Sequence, residues 1–343
     1  MWEVGKKILK GFLITIVFLI VAAEVGWYFY TSTIKKPFIN IGKNEVVEVK
    51  ENDTLNTVLS RLDEEGKLKN LFMVKVYNKI SSGDKSIKVG SYEIHEDDSL
   101  NDFLDRIISG KESYAYKITV PEGRNIEEIA AIVEEAGIVS KDEFLAAIKE
   151  YPLPSYVKSN PEKRYNLEGY LFPDTYTFNK DVTANDVIGN MIKRFETAIS
   201  EIETEEGVTI SDDKLEDIII RASIIEKEIK VDEERPIVAG VIENRLEQGM
   251  RLQMDATTVY ATKKTADTVT IEDTKVQSPY NTYYVKGLPV GPIASPGKVS
   301  IEAVLKPKKS DYIYYVLKKG GNGEHVFAIT YDEHKKNMEE NGY

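Results

Sequence analysis

The run SDDKLEDIIIRASIIEKEIK carries two glutamates, Glu226 and Glu228, in a mostly aliphatic setting where a carboxyl group could work as a general acid. Leu215, Ile219, Ala222, Glu226 and Ile229 follow one another at offsets of four, three, four and three residues, which keeps all five on one stripe of a helix. Glu228 falls roughly opposite that stripe, so the spacing predicts a desolvated Glu226 and a solvated Glu228. Burial disfavours the charged form and raises a carboxyl group's pKa, which suits an acid that must carry a proton near neutral pH. The competing reading is a structural carboxylate paired with Arg221 or Arg245. Ile220 and Ile224 also make the helix apolar on a second side.

Other chemistries have less support. The chain has three histidines, His95, His325 and His334, with none at HExxH spacing, so no metal site is expected. There is no GxSxG elbow and no Gly-rich phosphate cradle, and Ser223 and Lys227 stand four apart where an SxxK motif needs three. The absence of cysteine removes thiol chemistry, and no cofactor is implied. A net charge of -12 argues against an electrostatic grip on nucleic acid.

Two further segments suit a sugar polymer. Tyr170, Phe172, Tyr176, Tyr280, Tyr283 and Tyr284 lie among Asp, Asn, Gly and Pro residues; their rings could stack on pyranose faces while amides and carboxylates bond hydroxyls. The same tyrosines could equally be core or turn residues. GLPVGPIASPG brings Gly287, Gly291 and Gly297 together with Pro289, Pro292 and Pro296, a composition that favours a rigid loop with exposed backbone.

The elements that must position these groups fall into an α+β chain whose 343 residues suggest two to three domains. Residues 1–35 read as a cytoplasmic tail and a transmembrane anchor. Lys6, Lys7 and Lys10 precede GFLITIVFLIVAAEVGWYFY, and Trp27, Tyr28 and Tyr30 fit the far interface, which places the rest of the chain outside the cytoplasm. A signal peptide cleaved near Val21-Ala22-Ala23 is the competing reading. Residues 36–155 hold three strand–turn–helix units of LysM-like kind: VVEVKENDTLNTVLSRLDEEGKL, GSYEIHEDDSLNDFLDRIISGK and YKITVPEGRNIEEIAAIVEEAGIV. Their helix N-termini are expected at Asp53, Asp98 and Asn125. Prolines in YPLPSYVKSNPEKRYN mark a boundary, and residues 156–343 form a second domain. Helices are expected there at about 184–204, from Ser211 through the Glu226 segment, over DEERPIVAGVIENRLEQG with Gly249 as its stop, and at about 299–305. YIYYVLK and HVFAIT read as a hairpin.

The ordered set LEGYLFPDTY, ASIIEKE, VAGVIENRLEQGMRLQMDATTVYA, PYNTYYVKGLPVGPIASPG and GEHVFAIT resembles the endolytic peptidoglycan transglycosylases of the YceG-like family over about residues 160–340. The resemblance implies a membrane-anchored lyase that cuts the MurNAc-β-1,4-GlcNAc bond of nascent strands, leaves 1,6-anhydro-MurNAc ends, and works beside the wall-synthesis machinery. It implies Glu226 as the catalytic acid, with Glu168, Tyr170, Asp174, Gln253, Asp255, Asn281 and Tyr283 as substrate-binding or orienting residues. Where the family has Thr-Asp-Pro-Thr, this chain has Met254-Asp255-Ala256-Thr257, which keeps the acid and lacks the proline. Two alternatives remain: a non-catalytic glycan-holding scaffold, and a hydrolytic muramidase pairing Glu226 with Asp255 or Glu168.

Overall fold

A computed structural model describes residues 15–21, 23–28, 31, 37–42, 45–72, 74–76, 86–110, 113–179, 182–264 and 269–343. The chain is mixed α+β and divides into two compact units, Met1–Tyr116 with Thr177–Asp181, and Lys117–Tyr176 with Val182–Tyr343. The proline-rich stretch near 151–166 therefore lies inside the second unit. So does most of the third strand–helix copy, from Lys117 onward.

In the first unit, strand β1 (Glu45–Val49) pairs antiparallel with β2 (Gly90–Ile94), Val47 lying opposite Tyr92, within a sheet ordered β1-β2-β3-β4 whose last strands are Ser113–Thr119 and Thr175–Asn179. Val47 and Val49 point inward while Val46 and Glu48 point out, the period of two expected of a half-buried strand. Helices α1 (Leu55–Glu64) and α2 (Leu100–Ser109) close over this face with Val58, Leu59, Phe103 and Ile107, all fully buried. Their caps are Thr54 and Ser99, one residue after the expected Asp53 and Asp98. The hydroxyls accept the first free amides, and the aspartates do a different job. Asp53 accepts the Lys50 N–H at 2.9 Å and pairs with Arg61; Asp98 accepts the His95 N–H at 2.7 Å and pairs with Arg106. The same clamp is thus built twice, which makes the repeat structural as well as sequential.

The anchor expected over residues 1–35 lies largely outside the described residues. Residues 15–21 and 23–28 are helical and carry exposed Phe18 and Trp27; among the described residues no helix is long and apolar enough to cross a membrane.

The second unit is mainly helical: α3 (Ile126–Glu135), α4 (Lys141–Glu150), α5 (Ala184–Glu206), α6 (Asp212–Glu228), α7 (Arg235–Glu247), α8 (Asp255–Thr262), α9 (Ile271–Thr274), α10 (Lys298–Leu305) and α11 (Tyr331–Asn341). Strands β5 (Tyr314–Leu317) and β6 (His325–Ala328) form the expected hairpin, Tyr315 opposite Phe327. Asn125 caps α3 through a capping box, as its place in the third copy predicts. Helix α6 starts at Ser211 and is the centre of this unit. It packs on α7, α8 and α10, and Leu215, Ile219, Ile220, Ala222, Ser223, Ile224 and Ile225 are all buried. Each such isoleucine contributes about 1.5–3 kcal/mol when fully buried, so the apolar second side of this helix is core too.

Candidate active site

Helix α6 ends at Glu228, with Ile229 already extended, so Glu226 and Glu228 both sit in its final turn. Glu226 lies on the predicted stripe and its side chain retains 6% of its exposure. Its Oε2 accepts two bonds: from Arg235 Nη1 at 2.9 Å and from the Gly297 backbone N–H at 3.0 Å. Oε1 has no hydrogen-bond partner among the described residues, and it is not one of the sealed polar atoms. The carboxyl is thus gripped by one oxygen and presents the other.

The partner is neither arginine expected from the sequence. Arg221 pairs with Asp217 and Glu243, and Arg245 donates to the carbonyls of Leu252 and Ile313. Arg235 occupies the first position of α7, where the turn Asp232–Glu234 folds it back onto α6; it also pairs with Asp232 and bonds Ser300 Oγ. Its signal was the DEERP run, an arginine at a helix start preceded by three acids.

Gly297 is delivered by the glycine- and proline-rich loop, which one contact fixes to α6 and two fix to the turn before α3. Ser223 Oγ accepts the Ile293 N–H at 3.1 Å, the Ser295 N–H donates to the Arg124 carbonyl at 2.8 Å, and the Gly123 N–H donates to the Ser295 carbonyl at 2.8 Å. Gly169 of the LEGY segment completes the packing: it has φ +87°, and a Cβ there would stand 2.6 Å from Pro292 and 2.8 Å from Ile219. Only glycine fits that position without displacement.

Glu228 departs from expectation. It is half-buried, with its carboxylate on the N-terminus of α8: the Ala256 N–H donates to Oε1 at 2.9 Å, and Tyr315 Oη lies 3.5 Å from Oε2. Helix α8 has Met254 at its cap position and no capping side chain of its own, so Glu228 serves in its place. Desolvation, with Asp255 adding repulsion, raises the Glu228 carboxyl to about 7 against the hydrogen bond from Ala256. The helical wheel put Glu228 away from the stripe correctly; it did not show that α8 and Tyr315 fold over the opposite side.

The remaining sequence candidates separate. Tyr283 and Asp255 meet, Tyr283 Oη donating to Oδ1 at 2.6 Å, beside Glu228 and not against Glu226. Gln253 is exposed, has φ +50°, and its side-chain amide makes no hydrogen bond among the described residues, so it is available to a ligand. Asn281 is fully buried and spends its amide internally, accepting from Thr258 and the Tyr283 N–H and donating to the carbonyls of Thr274 and Val276. Tyr170 is a core residue packed on Tyr156 and Phe195. Asp174 pairs with Arg194 at the surface of the unit. Glu168 is 1% exposed and caps α3: its Oε1 accepts the Ile126 N–H at 3.0 Å and its Oε2 the Tyr260 hydroxyl at 2.7 Å. Burial raises its carboxyl to about 7. Among the described residues no group of three metal-ligating side chains occurs.

The YceG-like family model matches residues 47–340. The chain belongs to the YceG-like family. An endolytic murein transglycosylase of Bacillus subtilis is 33% identical over 92% of this chain and 89% of its own length. One of Streptococcus pneumoniae is 27% identical over 96% of this chain, which spans 65% of that longer protein. The crystal structure of a yceG-like protein from Listeria monocytogenes superposes with a TM-score of 0.56 at 31% identity, over 86% of this chain and 99% of that one. Membership of the family makes the chain an enzyme, a lytic transglycosylase.

Proposed function

We propose that this enzyme acts on peptidoglycan, cutting the MurNAc-β-1,4-GlcNAc bond inside nascent glycan strands, with Glu226 as its proton carrier and a 1,6-anhydro-MurNAc end as product. One observation carries the assignment: Glu226 Oε2 is held by Arg235 and the Gly297 N–H while Oε1 is left to face a substrate. A proton on Oε1 passes to the glycosidic oxygen as its bond to the muramyl C1 breaks. The resulting carboxylate takes the proton of the C6 hydroxyl while O6 bonds to C1, which regenerates the acid and consumes no water. The internal nucleophile has a high effective concentration, so neither a second base nor a positioned water is required. A muramidase would need a second carboxylate beside Glu226. Glu168 is enclosed as a helix cap and Asp255 is bound to Tyr283, which disfavours both of the pairs weighed from sequence.

In this reading Gln253, Tyr283 and Asp255 contact the strand, and the first unit's two strand–helix copies hold glycan ahead of the cut. The N-terminal segment tethers the enzyme by a single span, N-terminus in the cytoplasm and both units outside, beside the wall-synthesis machinery. The test is mass analysis of products from uncrosslinked glycan. Wild type should give anhydro ends and Glu226→Gln none, with binding retained. Reducing ends would indicate the muramidase, and an active Glu226→Gln would remove the assignment.

A further inference from the structure

Arg235 holds Glu226 Oε2 at 2.9 Å, a cation beside the group that has to deliver a proton in the reading above. A second carboxylate lies on the other side of the same glycine. A Cβ built on Gly297 would stand 1.9 Å from Glu122 Oε1, so the Glu122 carboxylate fills the space a side chain would need. Gly297 also bonds Glu226 Oε2, and these two distances with standard backbone dimensions keep the two carboxylates within about 7 Å. The turn carrying Glu122 is fixed there: a Cβ on Gly123 would lie 3.5 Å from Glu226 Cγ, and Lys227 Nζ donates to the Gly123 carbonyl at 3.2 Å. Glu122 makes no hydrogen bond or ion pair of its own among the described residues. Glu122 is an exposed residue, and what distinguishes it is its place against Gly297 beside Glu226.

We infer that Glu122 is a positioning residue that acts through Glu226, its negative charge offsetting Arg235 so that the two carboxyls hold one proton between them and Glu226 is protonated when the sugar arrives. The inference rests on the reading of Glu226 given above. The charged groups around the pair are few. Arg235 and Asp232 face it from the turn after α6, Lys227 lies on α6 with its ammonium on Gly123, and Lys298, next to Gly297, is drawn away to Glu205 and Glu302. Desolvation, then the nearby Glu226 charge, pushes the Glu122 carboxyl above its ordinary range, with Arg235 opposing.

The test is the pH dependence of cleavage by the full chain, read as anhydro ends from uncrosslinked glycan. Glu122→Gln keeps the shape and removes the charge. The alkaline limb of kcat should move to lower pH by about one unit, so that turnover on that limb falls about tenfold while KM stays within twofold. Glu122→Asp should restore part of the shift. Gly297→Ala, whose methyl displaces the Glu122 carboxylate, should move the limb the same way. An unchanged limb in Glu122→Gln, with Glu226→Gln inactive, overturns this inference and leaves Glu226 standing. Loss of KM alone would make Glu122 a substrate contact and would equally overturn it. An active Glu226→Gln would remove both.

Discussion

Glu168→Gln separates a structural carboxyl from a chemical one. In the native chain this group is 1% exposed and burial lifts it from an ordinary 4.5 to about 7, the bonds from Tyr260 and the Ile126 N–H opposing. Between those two values the folded protein keeps a proton that the unfolded chain has released, so stability contributed by this site is complete at acid pH and is lost as pH rises to 7. Linkage puts that loss at about 3 kcal/mol, constant above neutrality. Glutamine cannot ionise, and its amide can accept from the Ile126 N–H while donating to the Tyr260 oxygen. The variant should therefore match wild type near pH 4.5 and exceed it at pH 8 by up to about 3 kcal/mol. The assay is urea unfolding of the full chain followed by circular dichroism across this pH range. Glu228 shifts in the same direction, so part of the wild-type slope will persist and the quantity to compare is the change in slope. Parallel pH dependences for the two proteins would refute the argument, and loss of cleavage in the variant would return Glu168 to the chemistry.

Three shorter predictions follow from other contacts. Glu228→Ala removes the borrowed cap of α8 and should cost about 1 kcal/mol in the same unfolding assay, with a smaller loss of cleavage than Glu226→Gln; equal losses would mean that the two acids share one role. Gly169→Ala forces a side chain into a φ of +87° against Pro292 and Ile219, and should destabilise by about 2–4 kcal/mol; an unchanged melting temperature would contradict that packing. The proposed anchor should keep the protein in the membrane fraction through a high-salt wash, and release by salt would argue for peripheral attachment.

The sequence was most readable where one element decides its own burial. The phase of α6 follows from its aliphatic spacing, and Leu215, Ile219, Ala222 and Ile229 are all buried as that spacing requires. It was least readable where a distant segment supplies the partner. Periodicity gives the direction of Glu228 from its own helix axis, but not that Ala256 and Tyr315 cover it. Helix α8 went unrecognised for the complementary reason: DATTVYAT is short, rich in β-branched residues and lacks a cap of its own, the missing acceptor lying 28 residues upstream. Tyr170, Glu168 and Asn281 illustrate a third limit. Residues that fix a cleft's framework carry the same motif as those that line it, and only their hydrogen bonds tell them apart.

The loop from Gly287 to Gly297 is bonded at Ile293 to Ser223 and at Ser295 to Gly123 and Arg124, and the helix that holds Ser223 also carries Glu226. Wall and acid therefore travel as one block. The backbone N–H of Gly297 that grips Glu226 is thus set by the same bonds that hold the loop, and no separate closure is needed to form that grip.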